Sequence, residues 1–383
     1  MTISEFKSLY TSNKETTLHH RYITNMHIKP LLDRLDSRFN VQTIGESVLG
    51  KPIYGIQFGT GKKRLLLWSQ MHGNESTTTK ALFDFFNTLS NSEVLIHLLN
   101  DFTFYVIPIL NPDGAEAYTR LNANEVDLNR DAQTLSQPES KVLRAVYSSF
   151  NPHYCFNLHG QRTIFSAGTS NKVATVSFLS PAQDQETTVT DSRKVAMEVI
   201  AEMNKVLQEF IPGQVGRYDD AFNINCVGDT FQSFNVPTIL FEAGHFENDY
   251  GREQTRFYIY ASYLSAFNFI SKSENSGANY EAYFDIPEND KCFLDIIIRN
   301  ANLGTEDSPL ILDIGVQYIE KLINKNVEFC PKIEKIAKLS DLYGHKECNA
   351  NKMRVLDAEK LPLKEGIEND FVYIGGDKFL LKL

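Results

Sequence analysis

The stretch Leu65-Leu66-Leu67-Trp68-Ser69-Gln70-Met71-His72-Gly73-Asn74-Glu75 decides how the chain is read. It opens on four apolar residues without alternation, the pattern of a strand buried on both faces. Beyond it, Leu82, Phe85, Phe86 and Leu89 fall at i, i+3, i+4 and i+7, which predicts an amphipathic helix over 76–90. His72 and Glu75 therefore stand at the carboxyl end of a core strand, where open α/β sheets place their sites. An imidazole and a carboxylate held on one turn are suitable ligands for Zn²⁺.

Working outward, the same texture recurs. Residues 1–40 read as helical and polar, with apolar positions at Ile28, Leu31, Leu32 and Leu35. Segments 41–45 and 52–58 predict a hairpin. Further strands are predicted at 102–110, 154–158 and 236–242, and helices at 138–150, 187–210 and 252–271. The fold class is α/β: a mixed, largely parallel twisted sheet flanked by helices. The polar stretch 271–277 predicts a boundary between a catalytic region, 1–272, and a small strand-rich C-terminal domain, 280–383.

The 383 residues suit two or three domains, and an apolar content of 42% supports a large core. A net charge of −10 without any basic block argues against nucleic acid and anionic membrane as partners. The N-terminus lacks a basic region followed by an apolar one, and no run of 18 apolar residues occurs, so a cytoplasmic location is expected. Five scattered cysteines without CxxC spacing fit a reducing compartment.

Four polar clusters each follow a predicted core strand: His72 with Glu75, Asn111-Pro112-Asp113-Gly114 with the loop to 137, His159-Gly160, and Glu242. One edge of one sheet would bring them together. Catalytic zinc takes three protein ligands and leaves a position for water, and His72, Glu75 and His159 make that set. Two neutral imidazoles and one carboxylate leave the metal net positive, which lowers the pKa of its water toward about 7. Glu242 is then the candidate general base. In the loop 119–131, one arginine beside the metal would stabilise an oxyanion, and a second would grip a carboxylate with its planar fork.

Taken in order, His72-Gly73-Asn74-Glu75, Asn111-Pro112-Asp113-Gly114, Arg120 with Asp127-Leu128-Asn129-Arg130, His159-Gly160 and Phe241-Glu242 resemble the M14 zinc carboxypeptidases. The hairpin Gly45-Glu46-Ser47-Val48-Leu49-Gly50-Lys51-Pro52-Ile53 is similar to an early hairpin of that family, and the resemblance covers roughly 20–270. It implies one Zn²⁺ per chain on His72, Glu75 and His159, with Glu242 as base. It also implies Arg120 at the scissile carbonyl, Asn129 and Arg130 on the substrate's terminal carboxylate, and a mixed eight-stranded sheet. Digestive members carry a tyrosine some twenty residues before the catalytic glutamate; in that region only Tyr218 could serve. Residues 225–230 are expected to line the side-chain pocket, with Asp229 as their one acid.

The substrate expected is a small peptide with a free carboxylate. Alternatives are an N-acyl amino acid, as in the related aspartoacylase and desuccinylase group, a cell-wall peptide, or an inactive peptide-binding pseudoenzyme. Asp127 reads as a structural brace outside the site, His245 and Glu247 as solvated surface, and the aromatic run 257–268 as core.

Overall fold

The structure is a computed structural model, and it describes residues 1–272 and 276–383. The expected boundary at 271–277 lies in part outside the described residues. The chain divides into two compact units, one of residues 1–161 and 174–289 and the other of 162–173 and 290–383.

The larger unit is built on an eight-stranded sheet. Its strands are β1 (Phe39–Glu46), β2 (Pro52–Phe58), β3 (Lys63–Ser69), β4 (Phe102–Ile107), β5 (Tyr154–Gly160), β6 (Val176–Leu179), β7 (Val215–Arg217) and β8 (Thr238–Ala243). They lie in the order β1-β2-β4-β3-β5-β8-β6-β7. The central run β4, β3, β5 and β8 is parallel, whereas β2, β6 and β7 run against it and β1 pairs antiparallel with β2. The helices are α1 (Ile3–Asn13), α2 (Asn25–Leu32), α3 (Thr77–Asn91), α4 (His97–Asp101), α5 (Pro112–Ala117), α6 (Pro138–Phe150), α7 (Asp191–Phe210), α8 (Val227–Ser233) and α9 (Glu253–Lys272).

The unalternating apolar run of β3 has a simple cause: both faces of the sheet are covered. Leu65 and Leu67 point into one core with residues of α3, α7 and α9, while Leu66 and Trp68 point into another with residues of α6 and α8; all four are fully buried. The aromatic run of α9 belongs to the first core, from Phe257 to Phe267. Burying one such side chain contributes about 1.5–3 kcal/mol, so these two layers hold the sheet rigid under whatever stands at its edge.

Residues 1–40 do not form one helical stretch as expected. Between α1 and α2 the chain is irregular over 14–24, because its backbone groups serve buried partners instead of a helix. Arg256, fully buried, pairs with Asp84 and donates to the carbonyls of Glu15 and Leu18. Glu15 N donates to Asp84 Oδ1 at 2.7 Å, Ser76 Oγ to Arg21 O at 2.5 Å, and Gln70 Nε2 to Ile23 O at 3.0 Å.

The smaller unit is strand-rich. Strands β9 (Phe293–Asn302), β10 (Ile311–Ile323), β11 (Asn326–Ala337) and β12 (Tyr343–Asn349) form a sheet in the order β11-β10-β9-β12. Strands β13 (Val355–Leu356), β14 (Phe371–Ile374) and β15 (Asp377–Leu380) form a three-stranded one. Ile296, Ile298, Ile314, Val316, Ile333, Val355 and Val372 share its core.

Candidate active site

Beyond β3 the chain turns sharply. Gln70 adopts a left-handed conformation, φ 44°, and is fully buried. A Cβ on Gly73 would lie 1.9 Å from the backbone carbon of Gly114, so only glycine lets these two segments touch. Ser69 Oγ meets the hydroxyls of Thr78 and Thr79 at 2.7 and 2.8 Å, tying the end of β3 to the first turn of α3. The turn that carries His72 and Glu75 is thus fixed at both ends.

His159 is the penultimate residue of β5, next to β3 in the sheet. The two imidazoles and the Glu75 carboxylate meet. His72 Nδ1 lies 3.0 Å from Glu75 Oε1 and 3.0 Å from His159 Nδ1, and His159 Nδ1 lies 2.9 Å from Glu75 Oε2. One ligand atom from each lies within 4.8 Å of the others. Two ring nitrogens and a carboxylate converging on one point are the donor set of tetrahedral zinc, and two imidazole lone pairs face each other comfortably only across a cation. The residues present fit that metal.

The electrostatics agree. Burial alone would push the Glu75 carboxyl up, but the flanking imidazoles hold it well below the usual carboxylate range. Burial disfavours a charged His72, yet Glu75 and Asp127 outweigh it and raise its pKa; for His159 burial wins and the pKa is lowered.

Asp127 is more than the loop brace expected. Its Oδ1 lies 3.0 Å from His72 Nε2 and accepts the Asn129 N–H at 2.9 Å, and its Oδ2 accepts from Arg120 Nε and Nη2 at 3.1 and 3.0 Å. A carboxylate on the far nitrogen of a metal-facing histidine sets the tautomer and the ring plane. The loop's own pattern, an acid between two arginines, signalled a brace; that its other oxygen reaches His72 had no local signal.

Arg120 is half-exposed, with Nη1 3.5 Å from Glu75 Oε1. Asn129 Oδ1 accepts the Val227 N–H at 3.0 Å, which docks the loop against the start of α8, and exposed Arg130 donates to the Asn129 carbonyl at 2.8 Å. Cys226 and Asp229 flank this junction; burial pushes the Cys226 thiol up to about 11 and the Asp229 carboxyl up to about 6.

Glu242 on β8 is in register with His159 on β5. Its Oε2 is buried and has no hydrogen-bond partner among the described residues. Burial, then the charge of Glu75, drives its pKa well above the usual range, while Arg120 and Arg252 pull it back. Arg252, which sequence reasoning missed, is 1% exposed. It donates Nη1 to Ala243 O at 2.7 Å and Nη2 to Gln161 O at 2.9 Å. One guanidinium therefore ties the ends of the two strands that bear His159 and Glu242. Tyr218 directly follows β7; burial and then the charges of Glu242 and Glu75 raise its pKa. His245, expected at a solvated surface, is instead 1% exposed, with its ring against Tyr250.

Comparison with known proteins points the same way. Residues 24–237 match the Peptidase_M14 family, described as zinc carboxypeptidase. The chain is 36% identical over 112 residues to carboxypeptidase E of Caenorhabditis elegans, covering 23% of this chain and 24% of that protein. It is 36% identical over 80 residues to gamma-D-glutamyl-L-diamino acid endopeptidase 1 of Lysinibacillus sphaericus, covering 18% of this chain and 20% of that one. The chain thus spans about a quarter or less of the length of these two curated relatives. In fold it is similar to the carboxypeptidase A of Helicoverpa armigera, with a TM-score of 0.54 at 15% identity, over 71% of this chain and 81% of that one.

Proposed function

Because the chain belongs to the zinc carboxypeptidase family, peptidase M14, we propose that it is a metallocarboxypeptidase acting on small peptides, cleaving the amide bond next to a free carboxylate. One observation carries the reading. His72, Glu75 and His159 bring ligand atoms within 4.8 Å of one another, and the sheet row of His159 continues into Glu242, whose buried Oε2 has no partner among the described residues.

His72, Glu75 and His159 would hold one zinc per chain. When bound, it supplies Lewis acidity, lowering the pKa of water toward about 7 and polarising a carbonyl. The remaining work falls to the chain. Glu242 takes the proton of the attacking water and passes it to the departing amine, as a base with no competing hydrogen bond can. Ionised Glu242, disfavoured by burial and by Glu75, would be favoured beside a bound divalent cation. Arg120 turns part of its guanidinium from Asp127 toward the oxygen on which charge develops. Arg130 and Asn129 bind the terminal carboxylate, with Arg130 well suited because its fork is exposed and planar. Tyr218 closes the site beside Glu242 as a substrate-binding group.

A second reading has its own support. The identity to the Lysinibacillus endopeptidase favours a cell-wall-type peptide with γ-D-glutamyl and diamino acid residues. Both are tested together by offering zinc-loaded protein N-acyl dipeptides, their C-terminal amides, γ-D-glutamyl-diamino acid peptides and N-acyl amino acids. Release from free carboxylates but not from amides is expected, and it should vanish in Glu242→Gln. Zinc-loaded protein that cleaves none of the four classes would sink the proposal.

A further inference from the structure

The sheet row that holds His159 and Glu242 continues. Glu242 is in register with Ser177 on β6, and Ser177 with Gly216 on β7. Residues of one lateral row share a face of the sheet, so imidazole, carboxylate and hydroxyl stand side by side, followed by a position with no side chain. That gap is filled from elsewhere. Asn289 Oδ1 lies 1.8 Å from where a Cβ on Gly216 would sit. Asn289 Nδ2 donates to Ser177 Oγ at 3.0 Å and to Gln161 Oε1 at 3.2 Å, and its Oδ1 accepts from Ser177 Oγ at 3.1 Å. Gln161 is anchored in turn, its Nε2 donating to Ala174 O at 2.6 Å over Gly244, where a Cβ would come within 2.4 Å of that nitrogen. Two glycines thus make room for two amides. Tyr218 lies two residues beyond Gly216, where an extended chain returns its side chain to the same face, and the Asn289 amide there favours its ionised phenol oxygen.

We propose that Asn289 is a positioning residue of the catalytic cleft: reaching over Gly216, it holds the Tyr218 phenol beside Glu242, where the substrate passes. The inference rests on the carboxypeptidase reading above. Asn289 itself touches neither the metal ligands nor the reacting bond; it acts through Tyr218. The bland alternative is that this amide only ties the segment after α9 to the sheet edge, which would affect stability and leave the tyrosine where it is.

Two variants displace the amide in different ways: Asn289→Ala removes it, and Gly216→Ala evicts it by occupying its place. Thermal melting establishes that each is folded. The first readout needs no activity: nitration of Tyr218 by tetranitromethane, located by peptide mass. The amide's bond itself favours the reactive phenolate, but burial outweighs it, so a ring no longer held in its buried place should nitrate about tenfold faster in both variants, as a fall of about one unit in its pKa would give; unchanged rates in both overturn the proposal. The second is a double-mutant cycle with Tyr218→Phe on an N-acyl dipeptide. Asn289→Ala should cut kcat/KM about five- to tenfold alone and less than about twofold in the Tyr218→Phe background; losses that multiply overturn the proposal. If zinc-loaded wild type cleaves no dipeptide, the carboxypeptidase reading fails while nitration still decides the role of Asn289.

Discussion

Asp127→Ala is the most informative single change, because one side chain serves three partners. It removes the acceptor on His72 Nε2, both bonds to Arg120 and the cap on Asn129 N–H. Without that acceptor, the His72 ring can turn and can place its proton on Nδ1, the nitrogen that faces His159 and Glu75. Losing a partner of this kind typically weakens metal binding 10- to 100-fold, about 1.4 to 2.7 kcal/mol. The freed Arg120 costs a further part of the rate, since each hydrogen bond to a charged group is worth about 1.5–3 kcal/mol. Asp127→Asn separates the two effects. Its oxygen can still accept from His72, but its amide hydrogens now oppose the Arg120 guanidinium. Competition for zinc against a fluorescent chelator gives the affinity, and kcat at saturating zinc gives the rest. We expect Asp127→Ala to lose about 10- to 100-fold in zinc affinity, and Asp127→Asn less than Asp127→Ala with a comparable loss of kcat. Zinc affinity in Asp127→Ala within twofold of wild type would refute the reasoning, since His72 would then need no partner behind it.

Other outcomes follow from the same geometry. Glu242→Gln should lower kcat at least 10²-fold and keep stoichiometric zinc by atomic emission; activity near wild type would remove Glu242 from the chemistry. Arg130→Ala should lower kcat/KM on free-carboxylate substrates about 10- to 100-fold, mainly through KM; an unchanged KM would place the carboxylate elsewhere. Chelation should lower the melting temperature, and added zinc should restore it, because a ligand that binds only the folded state stabilises it; a melting curve indifferent to zinc would argue against a built site. Burial raises the Asp229 carboxyl to about 6, so the folded state holds that proton more tightly than the unfolded chain. Its stabilisation is full below about 4, the ordinary carboxylate range, and is lost as pH rises to about 6. Asp229→Asn should flatten that decline, by up to about 3 kcal/mol, in melting temperatures measured from pH 4 to pH 7.

What could be read from the chain had strong local causes. The run at 65–68 announced a strand covered on both faces, and each polar cluster announced itself by following such a run. What could not be read was short or held from a distance. Strand β7 has three residues, Val215–Arg217, too few for any period. The hairpin of β10 and β11 turns on Asn324 and Lys325, both left-handed, without the glycine that usually marks such a turn. Helix α8 lies where only pocket residues were expected, its start docked on Asn129. The metal-facing trio was legible because spacing and residue type suffice. Arg252 and Asn289 were not, because their partners are 9 to 128 positions away in the chain.

The buried guanidinium of Arg256 has a practical consequence. Residues that match the family begin at 24, and trimming the chain to that point for expression would look harmless. It would strip away the Glu15 and Leu18 carbonyls that satisfy this arginine, along with the Glu15 amide on Asp84. Helices α3 and α9 would then meet across a half-satisfied ion pair, and leaving a buried charge short of partners costs several kcal/mol. Expression work should therefore keep the residues before 24, and a shortened protein that precipitates would indict the trimming alone.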